Sequence, residues 1–131
     1  MDRAAKSVFA LTNNIFSEYI PGTLDISGII ERKRGRKFLK SGVSTNITVH
    51  LQYPEQVLHD AEFAYSWNIE DEHFTTENSN IVHRFTKAGP QWIRVTVAGR
   101  IPSYSNRNMF RYKWGYFDAE VTVKGKHLRL N

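Results

Sequence analysis

A short acidic run follows one of the most strongly alternating segments of the chain. In "FAYSWNIEDEHF", three acids and a histidine stand directly after the apolar residues: Glu70, Asp71, Glu72 and His73. Because Ca²⁺ takes several oxygen ligands from one loop, the three acids are weak candidate metal ligands. The run lacks the alternating Asp, Asn and Gly spacing of a dedicated calcium loop. We therefore favour a solvated turn in which Asp71 accepts hydrogen bonds from backbone amides, and we expect no cofactor.

The other residues that could do chemistry form no recognisable catalytic pattern. The five histidines are scattered, and no pair has metal-ligand spacing: His50, His59, His73, His83 and His127. The chain has no Gly-x-Ser-x-Gly elbow, no phosphate-binding loop and no cysteine nucleophile. We expect His83 to be a hydrogen-bonded strand residue, and we predict that the protein is not an enzyme.

A dense cationic run lies in "ERKRGRKFLK". Its six cations surround Gly35: Arg32, Lys33, Arg34, Arg36, Lys37 and Lys40. As a hairpin tip it would attract sulfated glycans, phosphoinositide head groups or nucleic acid through counterion release. A highly soluble loop with no dedicated partner explains the same composition, and we favour it over specific binding.

Aromatic and basic residues alternate in "RNMFRYKWGYF". Phe110, Tyr112, Trp114 and Tyr116 alternate there with Arg111 and Lys113. Such a strand could stack nucleic-acid bases and hold phosphates, with Arg111, Tyr112, Lys113 and Trp114 as the contact residues. A strand with a buried aromatic face and snorkelling cations explains the pattern as well, and we favour it.

Composition and periodicity indicate the elements that must position these residues. Of the 131 residues 40% are hydrophobic and 24% charged, which is typical of one soluble globular domain. With no cysteine, core packing alone must hold the fold, and the formal charge of +5 allows anionic partners without identifying them. Apolar residues recur with period two, most clearly in "NITVHL", "FAYSWNI", "WIRVTV" and "AEVTV". Short alternating segments separated by turns predict an all-β sandwich.

Residues 42–124 resemble a PKD domain, the immunoglobulin-like sandwich named from polycystic kidney disease protein. The resemblance is carried by "YSWNIEDE", "VHRF" and "AGPQWIRVTV", and by the spacing between His83 and Gly89. The segment "PEQVLHDAEFAYSW" is most similar to the lumenal or extracellular PKD domains of the melanosomal matrix protein, glycoprotein NMB and transmembrane protein 130 group. The resemblance to the PKD family implies an adhesive or assembly role rather than catalysis.

Three positions depart from the family pattern. Glu70 and Glu72 replace two turn glycines, so we do not expect a tight turn with positive φ to be kept unchanged. Gln91 stands where the family has a core aromatic residue. The adjacent Trp92 falls out of phase with Ile93, so we expect it to face solvent or an added element.

The resemblance implies an immunoglobulin-like β-sandwich of PKD type with extra N-terminal strands. Residues 42–131 would form the sandwich, and residues 1–41 would add strands and the basic hairpin within one structural unit. The segment "SVFAL" could be an edge strand. Trp67 would lie at the centre. The predicted core is Tyr65, Trp67, Val82, Phe85, Ile93, Val95 and Val121.

The leading hypothesis for function is a non-catalytic interaction module on the extracellular or lumenal side of a secreted or single-span membrane protein. It would bind a protein partner, itself or a sulfated glycan, and it would reach a membrane only through a segment absent from this chain. The expected contacts are Trp92, Arg94, the cationic run and a connection from Tyr104 to Trp114. Asn46 begins an Asn-x-Thr sequon and is a glycosylation candidate.

Two alternatives remain open. One is a nucleic-acid-binding barrel that uses the aromatic and basic strand, with nucleic acid as the less favoured partner. The other is a calcium-dependent accessory domain of a secreted enzyme, which would use the acidic run.

Overall fold

The computed structural model describes residues 19–103 and 109–125, which form two packed sheets. The elements are β1 (Gly22–Ile26), β2 (Glu31–Lys33), β3 (Arg36–Lys40), β4 (Ser44–Leu51), α1 (Glu55–Asp60), β5 (Glu62–Ile69), β6 (Glu72–Thr76), β7 (Asn80–Arg84), β8 (Gly89–Pro102) and β9 (Phe110–Lys124). One sheet has the order β1-β4-β7, and the six-stranded sheet has the order β2-β3-β9-β8-β5-β6. The predicted all-β sandwich is confirmed. Across the described ranges, no helix has the length and apolar character needed to cross a membrane.

Alternation along the strands produces the core, because successive side chains of a strand point to opposite faces. Every second residue of β5 and β8 is buried between the sheets, and the inner residues of β4 and β9 meet them. Trp67 is fully buried, and its Nε1 donates a hydrogen bond to Thr76 Oγ1 at 2.9 Å. Its ring also stacks on Tyr65, with centroids 6.4 Å apart. The indole is therefore buried with its one polar group satisfied.

The strands before residue 42 contribute to both sheets. β1 pairs antiparallel with β4 in the three-stranded sheet, whereas β3 pairs parallel with β9 in the other. Just before β1, Tyr19 forms a parallel bridge with Trp114 of β9. The chain thus crosses from one sheet to the other between Tyr19 and Gly22. The segment "SVFAL" lies outside the described residues.

Most predicted core residues are buried, and Val82 is the exception. It is 64% exposed, whereas Ile81 and His83 are buried. The reason is the register of β7 on β4, which pairs Ile81 with Ile47 and His83 with Thr45, both inward-facing. The prediction that Val82 belongs to the core is therefore wrong.

Candidate functional site: an exposed aromatic sheet face

The outer side of the six-stranded sheet carries a row of exposed aromatic residues along β9. Odd-numbered residues of β9 point inward, as Val121 and Val123 show by their burial. The even-numbered aromatics therefore point to solvent, and their exposed fractions reach 70% at Tyr112 and 57% at Trp114. We define the aromatic face as the outer side of this sheet together with its exposed aromatic residues: Tyr19, Trp92, Phe110, Tyr112, Trp114 and Tyr116.

This geometry reverses the favoured interpretation of "RNMFRYKWGYF". The aromatic residues are exposed, while Lys113 is buried with only 4% of its surface accessible. Burial, and to a lesser extent the nearby Arg111, lowers the pKa of the Lys113 ammonium. The stretch is also not a connection between core strands, because residues 110–114 are the first part of β9. The prediction of a buried aromatic face with exposed cations is wrong.

Two arginines on β8 lie over aromatic rings of the face. Arg94 Cζ is 5.2 Å from the centroid of Trp92, which is 44% exposed. Arg100 Cζ lies 3.6 Å from the centroid of Phe110. Both distances suit cation–π contacts, which hold a guanidinium and a ring together at the surface. Trp92 faces solvent as expected, and Arg94 lies beside it on the same sheet.

A shallow groove runs along the aromatic face. It has a volume of about 670 Å³, with Ala64 and Ala98 on its floor. Tyr112 and Trp114 lie along one side. Small side chains on the central strands and large rings on β9 thus produce a step in the sheet surface, which can seat a flat or extended group.

The face also contains residues that motif analysis missed. Tyr19 is 75% exposed and lies level with Trp114, because the two residues are bridge partners. Arg100 and Tyr116 were likewise absent from the predicted contacts. The phase of β9 would have identified Tyr116, since period two counted back from Val123 places every even residue outside. No signal in the sequence identifies Tyr19.

Away from the end of β9 that pairs with β3, the charges on the aromatic face are mixed. Arg94 and Arg100 are its basic groups on β8, and Arg100 Nη1 lies 3.8 Å from Glu62 Oε2. Four acids surround them on the outer side or along the groove: Glu62, Glu77, Asp118 and Glu120. Lys40 and Lys124 add positive charge to the same outer side at the end of β9 that pairs with β3, so a phosphate backbone would meet net positive charge only at that end. Lys113 also lines the groove, but its side chain is buried.

The cationic run forms a hairpin at the edge of the same sheet. β2 and β3 are joined by Arg34 and Gly35, whose φ angles are 53° and 77°. A two-residue hairpin turn of type I′ needs positive φ at both of its central residues. Its cations are exposed, apart from the partly buried Lys37. The one acid of the hairpin, Glu31, accepts a hydrogen bond from Lys124 Nζ at 2.8 Å, which lowers its pKa. The hairpin therefore projects a concentrated positive charge, with little internal compensation.

The acidic run forms a tight turn with a buried carboxylate. Glu70 and Asp71 connect β5 to β6 with φ angles of 49° and 66°, so the positive φ is kept without glycine. The Glu70 side chain is only 4% exposed and lies 2.7 Å from His83 Nε2. It also accepts hydrogen bonds from the backbone amides of Thr86 and Lys87, at 3.0 and 2.7 Å. Glu70, and not Asp71, binds the backbone amides, and it ties this turn to the loop before β8.

The other acids of the run point elsewhere. Asp71 is exposed and accepts a hydrogen bond from the Lys87 ammonium, which lowers the Asp71 pKa and raises that of Lys87. Glu72 is exposed, and its nearest ionic contact is His83 Nδ1 at 4.0 Å. Within residues 19–103 and 109–125, no three acidic or histidine side chains converge to hold a metal. The three carboxylates therefore do not form a common ligand set.

Asn46 is a further candidate that the structure places. Asn46 is exposed on β4 and pairs with Val82, so its side chain projects from the outer side of the three-stranded sheet. That side is the far side of the sandwich from the aromatic face. Tyr104 lies outside the described residues.

A scan of the chain against models of known protein families matches none of them. A search of curated proteins likewise finds no significant match.

Proposed function

We propose that the chain is a non-catalytic interaction module that binds a protein partner through its aromatic face. The observation that carries the proposal is the exposure of Trp92, Tyr112, Trp114 and Tyr116 on one side of one sheet. Large apolar side chains grouped on a surface mark binding sites. Tyr, Trp and Arg are also the residues most enriched where protein interfaces derive their affinity.

We further propose that the sandwich is immunoglobulin-like and of PKD type. The strand order supports this, because β1-β4-β7 corresponds to strands A, B and E of that fold. The run β9-β8-β5-β6 then corresponds to G, F, C and C′, and Trp67 lies on the strand that carries the central Trp in immunoglobulin domains. The parallel pairing of β3 with β9 fits an N-terminal strand that switches sheets.

The proposed location is the extracellular or lumenal side of a secreted or single-span membrane protein. The resemblance to lumenal PKD domains supports it, and the exposed Asn46 sequon agrees with it. A glycan on Asn46 would project away from the aromatic face, so glycosylation and binding are compatible.

The direct test is binding of the labelled chain to cell surfaces and extracellular matrix. We expect the double variant Tyr112→Ser, Trp114→Ser to lose about tenfold or more in affinity, since truncating central aromatic contacts of an interface costs 1–2 kcal/mol or more each. Val82→Ser is the matched control, because Val82 is an exposed apolar residue on the other sheet. Equal binding by wild type and double variant, with both folded, would rule out the aromatic face as the binding surface.

A second candidate function is binding of a sulfated glycan through the β2–β3 hairpin. It is favoured by the exposed cations of the hairpin and by the neutralisation of Glu31 by Lys124. The hairpin lies at the opposite end of β9 from Phe110, so the two surfaces can act independently.

A further inference from the structure

We propose that the partner on the aromatic face is a second copy of this chain, in an antiparallel two-fold dimer. The inference rests on the proposed function, since it names the occupant of the same surface. In this dimer the six-stranded sheets pack face to face, and the two-fold axis passes across the strands near Gly115. Trp114 of one copy then lies against Tyr116 of its partner, and the reverse contact repeats on the other side of the axis.

The size of the face fits such a dimer. Along β9, Phe110 to Glu120 spans about 33 Å at roughly 3.3 Å per residue, and the strands β9, β8, β5 and β6 together span about 19 Å at roughly 4.8 Å each. The projected area is therefore about 600 Å², and protruding rings increase the accessible area above this value. Stable interfaces bury about 800 Å² on each partner, so the face is of the required order.

The distribution of charge selects the antiparallel orientation. Much of the net charge of +5 is concentrated in the β2–β3 hairpin, which pairs with β9 at Thr122 to Lys124. A parallel arrangement of the two sheets would bring both hairpins to the same end. With the axis near Gly115, the hairpins lie at opposite ends, about 50 Å apart at roughly 3.3 Å per residue. That distance is several times the screening length of about 8 Å at physiological salt, so their repulsion is negligible.

The mixed charges of the face agree with a self-complementary contact. Arg100 and Glu62 lie at one end, and Arg94 and Asp118 lie at the other. With the axis at the level of Gly115, which pairs with Val97, Arg100 of one copy lies opposite Arg94 of its partner. An acid of the partner lies one strand away from each of these arginines, Asp118 beside Arg94 and Glu62 beside Arg100, so acids flank both pairs of like charges. A uniformly charged face would not allow this.

The absence of cysteine from the sequence gives a direct test of the symmetry. Thr96 is exposed at the centre of the face, level with Tyr116, so Thr96→Cys places one thiol near the proposed axis. A short bismaleimide of about 10 Å, the spacing of packed sheets, should link two copies in high yield. Val82→Cys is the control, since it lies on the other sheet and should give at least about tenfold less product.

Sedimentation equilibrium over a range of concentrations tests the dimer itself. We expect wild type to show a monomer–dimer equilibrium and Trp114→Asp to associate at least about 30-fold more weakly, as expected for an interface hot spot. A chain that stays monomeric at millimolar concentration would overturn the dimer. If Tyr112→Ser, Trp114→Ser still abolished cell or matrix binding, the aromatic face would remain a surface for another protein.

Two other results would also overturn the proposal. Equal cross-linking of Thr96→Cys and Val82→Cys would place the contact elsewhere. A monomer whose tryptophan fluorescence responds to a linear neutral oligosaccharide, with the response lost in Trp114→Ser, would assign the face to a glycan instead.

Discussion

At the residue scale, Glu70 combines two features that oppose each other. Its φ of 49° is unfavourable for a residue with a side chain, yet its carboxylate is buried and accepts three hydrogen bonds. Glycine would relieve the backbone but would lose the acceptor. The turn between β5 and β6 is therefore held in place by an acidic side chain at a position where glycine would relieve the backbone.

We predict that Glu70→Ala destabilises the fold by about 2–3 kcal/mol, because His83 and two backbone amides lose their acceptor. Glu70→Gln keeps one acceptor oxygen and should lie between wild type and Glu70→Ala. Asp71→Gly is the matched control, with a φ of 66° but an exposed side chain, and its stability should equal or exceed that of wild type. Urea unfolding measures all three, and a Glu70→Ala variant as stable as wild type would contradict the role of Glu70.

The direction in which side chains point was predictable in strands where only one set of alternate positions is apolar. In β5 and β8 a single set of alternate positions is apolar, so Trp67 and Ile93 were assigned correctly. In β7, Ile81 and Val82 are both apolar and adjacent, so the phase depends on the register with β4. For β9, treating residues 104–114 as a connection overlooks a phase that Val121 and Val123 already define and that places Phe110, Tyr112 and Trp114 outside.

At the scale of elements, the β2–β3 hairpin was predictable from the sequence, but its pairing with β9 was not. Charges around Gly35 indicate an exposed tip. The parallel pairing of Phe38 with Thr122 joins positions 84 residues apart, and local patterns carry no information about such a contact.

We predict that the variant Arg32→Ser, Arg36→Ser elutes from heparin at a clearly lower salt concentration than wild type, because it removes exposed cations from the hairpin. The matched variant Arg94→Ser, Arg100→Ser removes the same charge from the aromatic face and should elute close to wild type. An equal shift for both variants would mean that heparin responds to net charge alone. Tight retention on single-stranded DNA that depends on Tyr112 and Trp114 would instead favour the nucleic-acid alternative.

At the scale of the whole molecule, the described residues form one sandwich to which strands from both halves of the sequence contribute. β1 and β3 precede residue 42 and pair with β4 and β9. The core around Trp67 includes Leu39 from β3 and Ile26 from β1. All-β architecture was predictable from period two, whereas the grouping of strands into sheets depends on long-range pairing.

We predict that Trp67→Ala costs about 3–5 kcal/mol, as expected for truncation of a fully buried aromatic residue in the core. The free energy of unfolding from urea titration, followed by circular dichroism and fluorescence, measures this cost. Trp92→Ala is the matched control and should change stability by less than about 1 kcal/mol, because Trp92 is half exposed. A Trp67→Ala variant that melts within a few degrees of wild type would contradict the central place of Trp67.

The position of β9 in the six-stranded sheet has a consequence for how the protein forms during synthesis. β9 lies between β3 and β8, and it follows every strand with which it pairs. Until β9 leaves the ribosome, the β2–β3 hairpin has no strand with which to pair. The backbone groups of β8 that will bind β9 also lack hydrogen-bond partners. Because closure depends on contacts between distant parts of the chain, we expect folding in the millisecond-to-second range typical of all-β sandwiches. The nascent chain therefore exposes a long unpaired edge that a chaperone can recognise.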